Sequence, residues 1–209
     1  NEMVNLGFSE SKILALGHPG IAEAIKVADS SKIGSHLFFE KKLAKRQAKK
    51  NILFVSEPIS EDGNCETTIK EVNLLQLFCT KYNMFYGFMP NILIKLHPRD
   101  GINKYASFPF KIIREYENRH NVLSLVDLVI GFDSLFLIES ALSNIPTYSL
   151  LTGEGIGESV GQKLGIVRSI EDLFAQPNYH NHIFMRHQRQ FYGKSTRRIA
   201  NEVFKILQS

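Results

Sequence analysis

Short apolar runs alternate with amphipathic stretches along most of this chain. The runs at 52–56 (ILFVS) and 92–96 (ILIKL) have the length and composition of buried strands, and apolar residues recur at helical spacing within 65–82. Parallel strands need such a helical crossover, because neighbours that run in the same direction cannot be joined by a tight turn. The pattern therefore predicts an α/β domain with a mostly parallel sheet and helices on both of its faces.

The same alternation continues to the end of the sequence. The predicted strands are 13–16, 52–56, 92–96, 111–114, 128–132, 146–150 and 165–168. The predicted helices lie within 65–82 and at 121–125, 134–142 and 195–207, the last with Ser195 as its N-cap. Six or seven strands separated by helices are typical of a doubly wound, Rossmann-like sheet.

Composition and charge exclude several classes of protein. The 209 residues are 44% hydrophobic and 22% charged, which is typical of a folded domain rather than of a disordered chain. The most apolar stretch, 121–142, contains Asp127, Asp133 and Glu139, so it is not predicted to span a membrane. The net charge of +4 is scattered and no nucleic-acid-binding motif accompanies it, so no nucleic-acid partner is predicted.

The beginning of the chain differs from the rest. We divide the sequence into 1–51, which contains a basic linker or helix, and 52–209, a Rossmann-like domain with a C-terminal helix; the family resemblance described below implies an interdomain crossover in the first part and a nucleotide-donor-binding domain in the second. Residues 41–50 carry six Lys or Arg residues, which favours either a solvated face or peripheral contact with an anionic membrane. Cys65 and Cys79 suit neither a disulfide nor a zinc site, so the expected location is the cytoplasm, extending to the surface of the inner membrane.

Polar residues follow the strand at 92–96. In open α/β sheets, ligands bind beyond the carboxyl ends of the strands. Pro98 ends this strand because proline cannot continue a parallel ladder, and the strand end then delivers His97 and Arg99 to the mouth of the sheet. An imidazole there can donate a hydrogen bond to a phosphate or protonate a leaving oxygen, and a guanidinium can pair with phosphate. A solvated surface turn is the alternative.

The strand at 128–132 leads directly into a helix. A helix N-terminus offers backbone N–H groups to an anion, so Ser134 is predicted to contact a phosphate, with Gly131 in the same phosphate-binding loop. Asp133 or Ser134 is also a natural N-cap, which explains both residues without a ligand. Glu139, farther along the helix, is a candidate for hydrogen bonds from a ribose, with an ordinary position on the polar face as the alternative.

The loop after the strand at 52–56 is rich in carboxylates. Ser56 is assigned to the same phosphate-binding rim, and Glu57, Glu61 and Asp62 are candidate acids or bases. Each of these groups also suits an ordinary polar loop between a strand and a helix.

Two further patterns are less specific. The glycines within 153–161 fit neither the dinucleotide fingerprint nor the phosphate-binding loop, and we interpret them as a flexible loop on the donor side. His180, His182 and His187 have no regular ligand spacing, so no metal site is predicted.

Taken in order, His97-Pro98 after one strand, Ser134 before a helix, and Pro146 at the start of a strand resemble the donor-binding, C-terminal half of GT-B glycosyltransferases. The most similar branches are the bacterial sialyltransferases and polysialyltransferases, with the CDP-glycerol glycerophosphotransferases of wall teichoic acid synthesis nearby. The resemblance covers about 52–150.

The resemblance implies roles for particular residues. His97 would contact the nucleotide phosphate and help the leaving group to depart, and Ser134 would hold the same phosphate. The serine motif of these families is commonly a pair, but Asp133 precedes Ser134 here and Leu135 follows it, which disfavours CMP-sialic acid as the donor. Residues 61–63 are similar to the acidic-acidic-Gly motif that carries the base in sialyltransferases, where that motif lies in the acceptor-side domain.

The resemblance also implies a function for the whole segment. Residues 14–20 look like the crossover between two GT-B domains, so an N-terminal acceptor-binding domain outside this chain is expected. The predicted function is to bind a nucleotide sugar, with CMP-sialic acid among the candidates, for metal-independent inverting transfer to a glycan acceptor, without a cofactor. The segment alone is expected to be inactive. The alternatives are an enzyme like UDP-N-acetylglucosamine 2-epimerase and a non-catalytic sugar-nucleotide or protein interaction module.

Overall fold

The computed structural model contains one parallel sheet whose strand order departs from the chain order. It describes residues 9, 13–31, 50–59, 71–113, 119–151, 158–175 and 182–208. The strands are β1 (Asn51–Val55), β2 (Asn91–Lys95), β3 (Lys111–Ile113), β4 (Leu128–Gly131), β5 (Thr147–Ser149) and β6 (Arg168–Ser169). They are arranged in the order β3-β2-β1-β4-β5-β6, and every neighbouring pair is parallel.

Helices cover both faces of this sheet, as predicted. They are α1 (Pro19–Ser31), α2 (Glu71–Tyr86), α3 (Arg119–Ser124), α4 (Leu135–Leu142), α5 (Val160–Lys163), α6 (Ile170–Ala175), α7 (His182–Gly193) and α8 (Ser195–Gln208). None of the helices among these described residues is long and apolar enough to cross a bilayer.

The alternation of side chains along the central strands separates the core into two layers. Leu53 and Val55 of β1 pack in one layer with apolar residues of α1, α3 and α4. Ile52 and Phe54 point to the other face, into a second layer that contains apolar residues of α2 and α6. Burial on both faces explains why β1 is a continuous apolar run rather than an alternating one. The predicted Rossmann-like fold is confirmed.

Most predicted elements lie within two residues of their observed bounds, but the strand predicted at 13–16 is wrong. This segment is irregular, and the carbonyl oxygen of Leu16 accepts a hydrogen bond from Nε of Arg198 on α8, 3.1 Å away. Since it lies against a helix and not against β3 or β6, the two edges of the sheet, it has no strand to pair with. The capping role predicted for Ser195 is also not seen, because its buried hydroxyl has no hydrogen-bond partner among the described residues.

Helix α1 belongs to the core of the sheet domain. Its Ile21 and Ile25 are buried in the same layer as Leu53. The predicted domain boundary at residue 52 stays a prediction, and the basic residues at 41–49 lie outside the described residues. The structure therefore joins at least α1 of the predicted crossover segment to the domain that follows it.

Candidate functional site

The strand order reverses its direction between β1 and β4. From β1 the chain builds outward to β2 and β3, and then returns to the other side of β1 to form β4, β5 and β6. Crossovers on opposite faces of the sheet diverge at this point, so the carboxyl ends of β1 and β4 are the expected ligand site of such a fold.

Three predicted site residues lie at this edge, on three adjacent strands. In the register, Val55 pairs with Lys95 and Phe54 pairs with Ile130. Glu57 and His97 therefore follow their strands at equivalent positions, and Ser134 follows β4 at nearly the same level. Because neighbouring strands are about 4.8 Å apart, the ends of β2 and β4 are separated by roughly 10 Å, with β1 between them. The residues from these separate crossover units thus share one rim.

The imidazole of His97 is held by its own loop. Its Nδ1 accepts a hydrogen bond from the backbone N–H of Arg99 at 3.2 Å, while the backbone N–H of His97 donates to Oδ2 of Asp100 at 2.8 Å. In a neutral imidazole with Nδ1 as acceptor, Nε2 carries the proton. The half-buried His97 therefore has a hydrogen-bond donor in Nε2–H, which is the group that a phosphate oxygen would need.

A buried lysine ties the His97 loop to the loop after β1. Nζ of Lys104 lies 2.8 Å from Oδ1 of Asp100, 3.2 Å from Oε1 of Glu71 and 3.0 Å from the carbonyl oxygen of Glu57. The side chains of Lys104, Glu71 and Asp100 are 7%, 1% and 0% exposed. This group of side chains was not predicted; the signal for it in the sequence is the spacing of Asp100 and Lys104, which is that of an ion pair four residues apart.

Asp100 is held in its ionised form by this environment. Burial alone would raise its pKa, but hydrogen bonds from Lys104, Ser56 and the backbone of His97 outweigh burial and lower the pKa below its usual value. Ser56 is itself buried, and its Oγ lies 2.6 Å from the hydroxyl of Tyr105. The structure thus places Ser56 in the hydrogen-bonded layer that supports the His97 loop, and its predicted contact with phosphate stays a prediction.

Glu57 contacts the start of the loop after β4. Its Oε1 accepts a hydrogen bond from the backbone N–H of Asp133 at 2.9 Å. Burial raises the pKa of Glu57 to about 7. The hydrogen bond from the N–H of Asp133 lowers the pKa, and the nearby charge of Asp133 raises it further, so that the increase prevails. A carboxyl group that titrates near neutral pH can accept or return a proton under ordinary conditions, as a general base must.

Ser134 caps helix α4, as predicted. Its Oγ accepts a hydrogen bond from the backbone N–H of Phe136 at 3.2 Å. Oδ1 of Asp133 accepts from the backbone N–H of Val160 at 2.6 Å, at the start of α5. The negative side chain of Asp133 is therefore committed to a different helix, which leaves Ser134 as the better of the two candidates for contact with an anion.

Gly131 allows close packing at the end of β4. A methyl group at this position would lie 2.8 Å from Cδ1 of Leu137, closer than real Cβ atoms come, and 3.0 Å from the carbonyl oxygen of Val55, which is tighter than most real contacts. This packing is a sufficient reason for a glycine, and the predicted role of Gly131 in binding phosphate stays a prediction.

Glu139 does not lie on an exposed polar face. It is 4% exposed, and a methyl group placed on Gly20 would be 3.6 Å from its Oε1 and 3.1 Å from the ring of His18. The carboxylate is therefore next to the N-terminal end of α1, where partial positive charge from the backbone favours an anion. The alternative of an ordinary surface glutamate is wrong, and the contact with a ribose stays a prediction.

Neither a family model nor a curated protein sequence matches this chain. Its fold is similar to that of UDP-GlcNAc 2-epimerase from Neisseria meningitidis bound to UDP-GlcNAc, with a TM-score of 0.54, 12% identity, and coverage of 98% of this chain and 58% of that one. Weaker similarities join it to the wall teichoic acid polymerase TagF (TM-score 0.43, 14% identity, 96% and 53% covered) and to the β-Kdo 2,7-transferase of Thermosulfurimonas dismutans KpsC (0.37, 14%, 67% and 50%).

Because the sequence identity to the epimerase is only 12%, the similarity shows a similar fold and says nothing about activity. The chain spans 58% or less of the length of each of these three proteins. A fold similar to that of this chain thus also occurs as part of a longer protein, the UDP-GlcNAc 2-epimerase.

Several candidates lie outside the described residues. These are Glu61 and Asp62, the glycines at 153, 155 and 157, and His180. His182 and His187 lie in α7, whose side chains are not described at those positions. Within the described ranges, no group of three or more His, Cys, Asp or Glu side chains is arranged to hold a metal ion.

Proposed function

We propose that this chain is the nucleotide-sugar donor-binding domain of a bacterial GT-B glycosyltransferase that acts in surface polysaccharide or lipooligosaccharide synthesis. The observation that carries the proposal is the meeting of Glu57, His97 and Ser134 at the end of three neighbouring parallel strands, on either side of the point where the strand order reverses. His97 supplies a hydrogen-bond donor, Glu57 an acid–base group, and Ser134 caps a helix N-terminus. Together these groups could bind the phosphate of an activated donor and stabilise it as a leaving group.

The proposed reaction is inverting group transfer without a metal. The bond between the anomeric carbon of the sugar and the phosphate oxygen breaks, while a hydroxyl oxygen of the acceptor forms its new bond to that carbon. His97 donates its Nε2 hydrogen bond to the departing phosphate, and Ser134 and Arg99 hold the phosphate in place. A carboxylate takes the proton of the acceptor; Glu57 is the candidate whose pKa suits that step, and Glu61 and Asp62 are the others.

The N–H groups at the start of α4 impose a condition on this proposal. Glu57 already accepts from the N–H of Asp133, so a phosphate that uses the same group competes with the Glu57 carboxylate. Protonation of Glu57, which its raised pKa allows near pH 7, weakens its hold on that N–H. If the phosphate takes this N–H, Glu57 is held in its protonated form and cannot act as the base, and the base is then Glu61 or Asp62.

A panel of nucleotides tests the proposal. CMP, CDP, UDP and GDP are each added to the chain and thermal unfolding is followed; a ligand at about one hundred times its dissociation constant should add roughly 2.7 kcal/mol to the free energy of unfolding. His97→Ala should reduce the shift, whereas Asn83→Ala, on the exposed far end of α2, should leave it unchanged. The absence of a shift with all four nucleotides would favour a non-catalytic interaction module.

An epimerase is the second candidate, favoured by the fold similarity to the UDP-GlcNAc 2-epimerase. CMP or CDP stabilisation would support the transferase, while stabilisation by UDP alone would leave both enzymes open. Incubation with UDP-GlcNAc, followed by separation of the epimeric sugars, identifies an epimerase if a new epimer appears; an unchanged sugar leaves both enzymes open, because the chain spans only 58% of the length of the epimerase.

A further inference from the structure

Lys95 is not among the predicted site residues, yet it ends β2 at the rim where those residues lie. Its partner in the register is Val55, the last residue of β1. Leu93 packs in the layer that contains α4 and Ile94 packs in the other layer, so the alternation along β2 directs Lys95 toward α4. The half-buried lysine therefore faces the side of the sheet on which Ser134 caps its helix.

The ammonium group of Lys95 reaches the first turn of α4. Its Nζ lies 5.4 Å from the ring centre of Phe136, a distance at which an aromatic face attracts a cation. Phe136 is also the residue whose backbone N–H donates to Oγ of Ser134, 3.2 Å away. Because α4 follows β4 while Lys95 ends β2, the side chain passes over the end of β1, which lies between those strands. The cation is therefore held close to the point where the strand order reverses.

A phosphate at this rim needs positive charge nearby, because carboxylates already surround it. Three of them belong to the loops that follow β1, β2 and β4: Glu57, Asp100 and Asp133. The described parts of these loops carry two cations, Arg99 and Lys104. Nζ of Lys104 already contacts two buried carboxylates, so its charge is offset within the protein. The ammonium group of Lys95 adds to Arg99 the positive charge that an anionic ligand requires.

We propose that Lys95 is a further phosphate-binding residue of the donor site, an inference that rests on the proposed function. Its ammonium group turns from the ring of Phe136 to a phosphate oxygen of the nucleotide sugar. When the bond between the anomeric carbon and the phosphate oxygen breaks, the electron pair of that bond stays on the departing phosphate, and Lys95 stabilises the added negative charge. A lysine acts here as a compact point charge, which suits a phosphate whose charge is spread over several oxygens.

Calorimetric titration of matched variants tests this role. CMP, CDP, UDP, GDP and inorganic pyrophosphate are each titrated into the chain. Lys95→Met should weaken the binding of every ligand that binds by about tenfold or more, as expected from the loss of a charge-assisted hydrogen bond. Lys95→Arg keeps the charge and should weaken it by less than about threefold. Equal affinities of Lys95→Met and the original chain would overturn the proposal.

Lys81 provides a control with a contact of the same kind. Its Nζ lies 4.8 Å from the ring centre of Phe174. It is roughly 15 Å along α2 from Glu71, farther than the screening length of ~10 Å at 0.1 M salt. Lys81→Met should therefore change each affinity by less than about twofold. A loss as large as that of Lys95→Met would show that the rim has no special need of Lys95.

The dependence of binding on salt is a readout that a merely structural role of Lys95 would not change. Raising the salt from about 0.1 M to about 1 M should weaken ligand binding more in the original chain than in Lys95→Met, because the variant has one fewer charge to be screened. Weaker binding by Lys95→Met with an unchanged dependence on salt would mean that Lys95 acts through the fold, and would reject the contact.

Labelling of the original chain tests the contact without any substitution, in case Lys95→Met does not fold. Lysines are acetylated with limiting acetic anhydride, and the rates at Lys95 and Lys81 are followed by mass spectrometry with and without saturating pyrophosphate or nucleotide. The bound phosphate should slow the acetylation of Lys95 several-fold and leave that of Lys81 unchanged. An unchanged rate at Lys95 in the presence of a bound ligand would contradict the contact.

This inference and the proposed function fail in different ways. Nucleotide binding that does not depend on Lys95 would reject the contact and keep the donor-binding domain. Pyrophosphate binding that depends on Lys95, without binding of any of the four nucleotides, would support the phosphate contact and reject the nucleotide-sugar donor. Binding of neither pyrophosphate nor nucleotide would overturn both.

Discussion

At the scale of single residues, Glu57 links the stability of the fold to pH. Its carboxyl group has a pKa of about 7 in the folded chain, against 4.5 ordinarily, because burial disfavours the charge. Between pH 4.5 and about pH 7, the folded state therefore keeps this proton, whereas the unfolded state has lost it. Stability that depends on this proton is present at low pH and is lost as the pH rises toward 7.

Glu57→Gln should remove this pH dependence, since glutamine keeps an oxygen that can accept from the N–H of Asp133 but does not ionise. Relative to the original chain, the variant should gain about 1–3 kcal/mol in the free energy of unfolding between about pH 5 and about pH 8, measured by denaturant titration. Glu158→Gln removes an exposed carboxylate and controls for the change in net charge. If the free energy of unfolding depended on pH in the same way for Glu57→Gln and for the original chain, the raised pKa would be contradicted.

Gly131 gives a second prediction about a single residue. Gly131→Ala should destabilise the chain by about 1–3 kcal/mol, because the new methyl group overlaps Leu137 and the backbone of Val55. Gly101→Ala is the matched control, since a methyl group there meets no atom within 4 Å. Urea unfolding measures both, and an equal effect of the two substitutions would show that the packing at Gly131 is not tight.

At the scale of elements, Lys104 joins the loop after β2 to the loop after β1, through Asp100 and the carbonyl oxygen of Glu57. Nothing in the sequence indicates that these two loops are connected. Lys104→Met should destabilise the chain by about 3–5 kcal/mol, because it leaves the buried carboxylates of Glu71 and Asp100 without their cation. Lys111→Met, at the exposed start of β3, should have a far smaller effect. Denaturant unfolding compares the two, and similar losses would mean that the network contributes little.

The elements also show where the reasoning from sequence succeeded and where it failed. β1, β2 and β4 were predictable because strands buried on both faces are short apolar runs. The strand at 13–16 is wrong because a short apolar run does not reveal whether a sheet edge is available to it. Helix α1 was missed, although Pro19 at its first position and apolar residues at helical spacing were signals for it.

At the scale of the whole molecule, the sequence predicts the class of the sheet but not the order of its strands. The rim residues Glu57, His97 and Ser134 were predictable because the end of a parallel strand is a local feature. The Lys104 network and the burial of Glu139 were not, because they depend on which loops and helices become neighbours in three dimensions. Local patterns thus located the candidate site, and only the tertiary structure shows what supports it.

The last prediction concerns what this segment does alone. Group transfer gains much of its rate from holding donor and acceptor in line, and an acceptor that is not held by the protein loses this advantage. The chain spans 58% of the length of the epimerase that shares its fold, and an acceptor-binding partner domain is part of the proposed function. We therefore expect the isolated chain to bind nucleotide weakly and to release no nucleotide from a nucleotide sugar beyond the rate in buffer, as measured by chromatography in the presence of a glycan acceptor. His97→Ala should weaken the binding without changing this background release. Transfer of sugar to the acceptor by the isolated chain would show instead that the rim formed by β1, β2 and β4 is a complete active site.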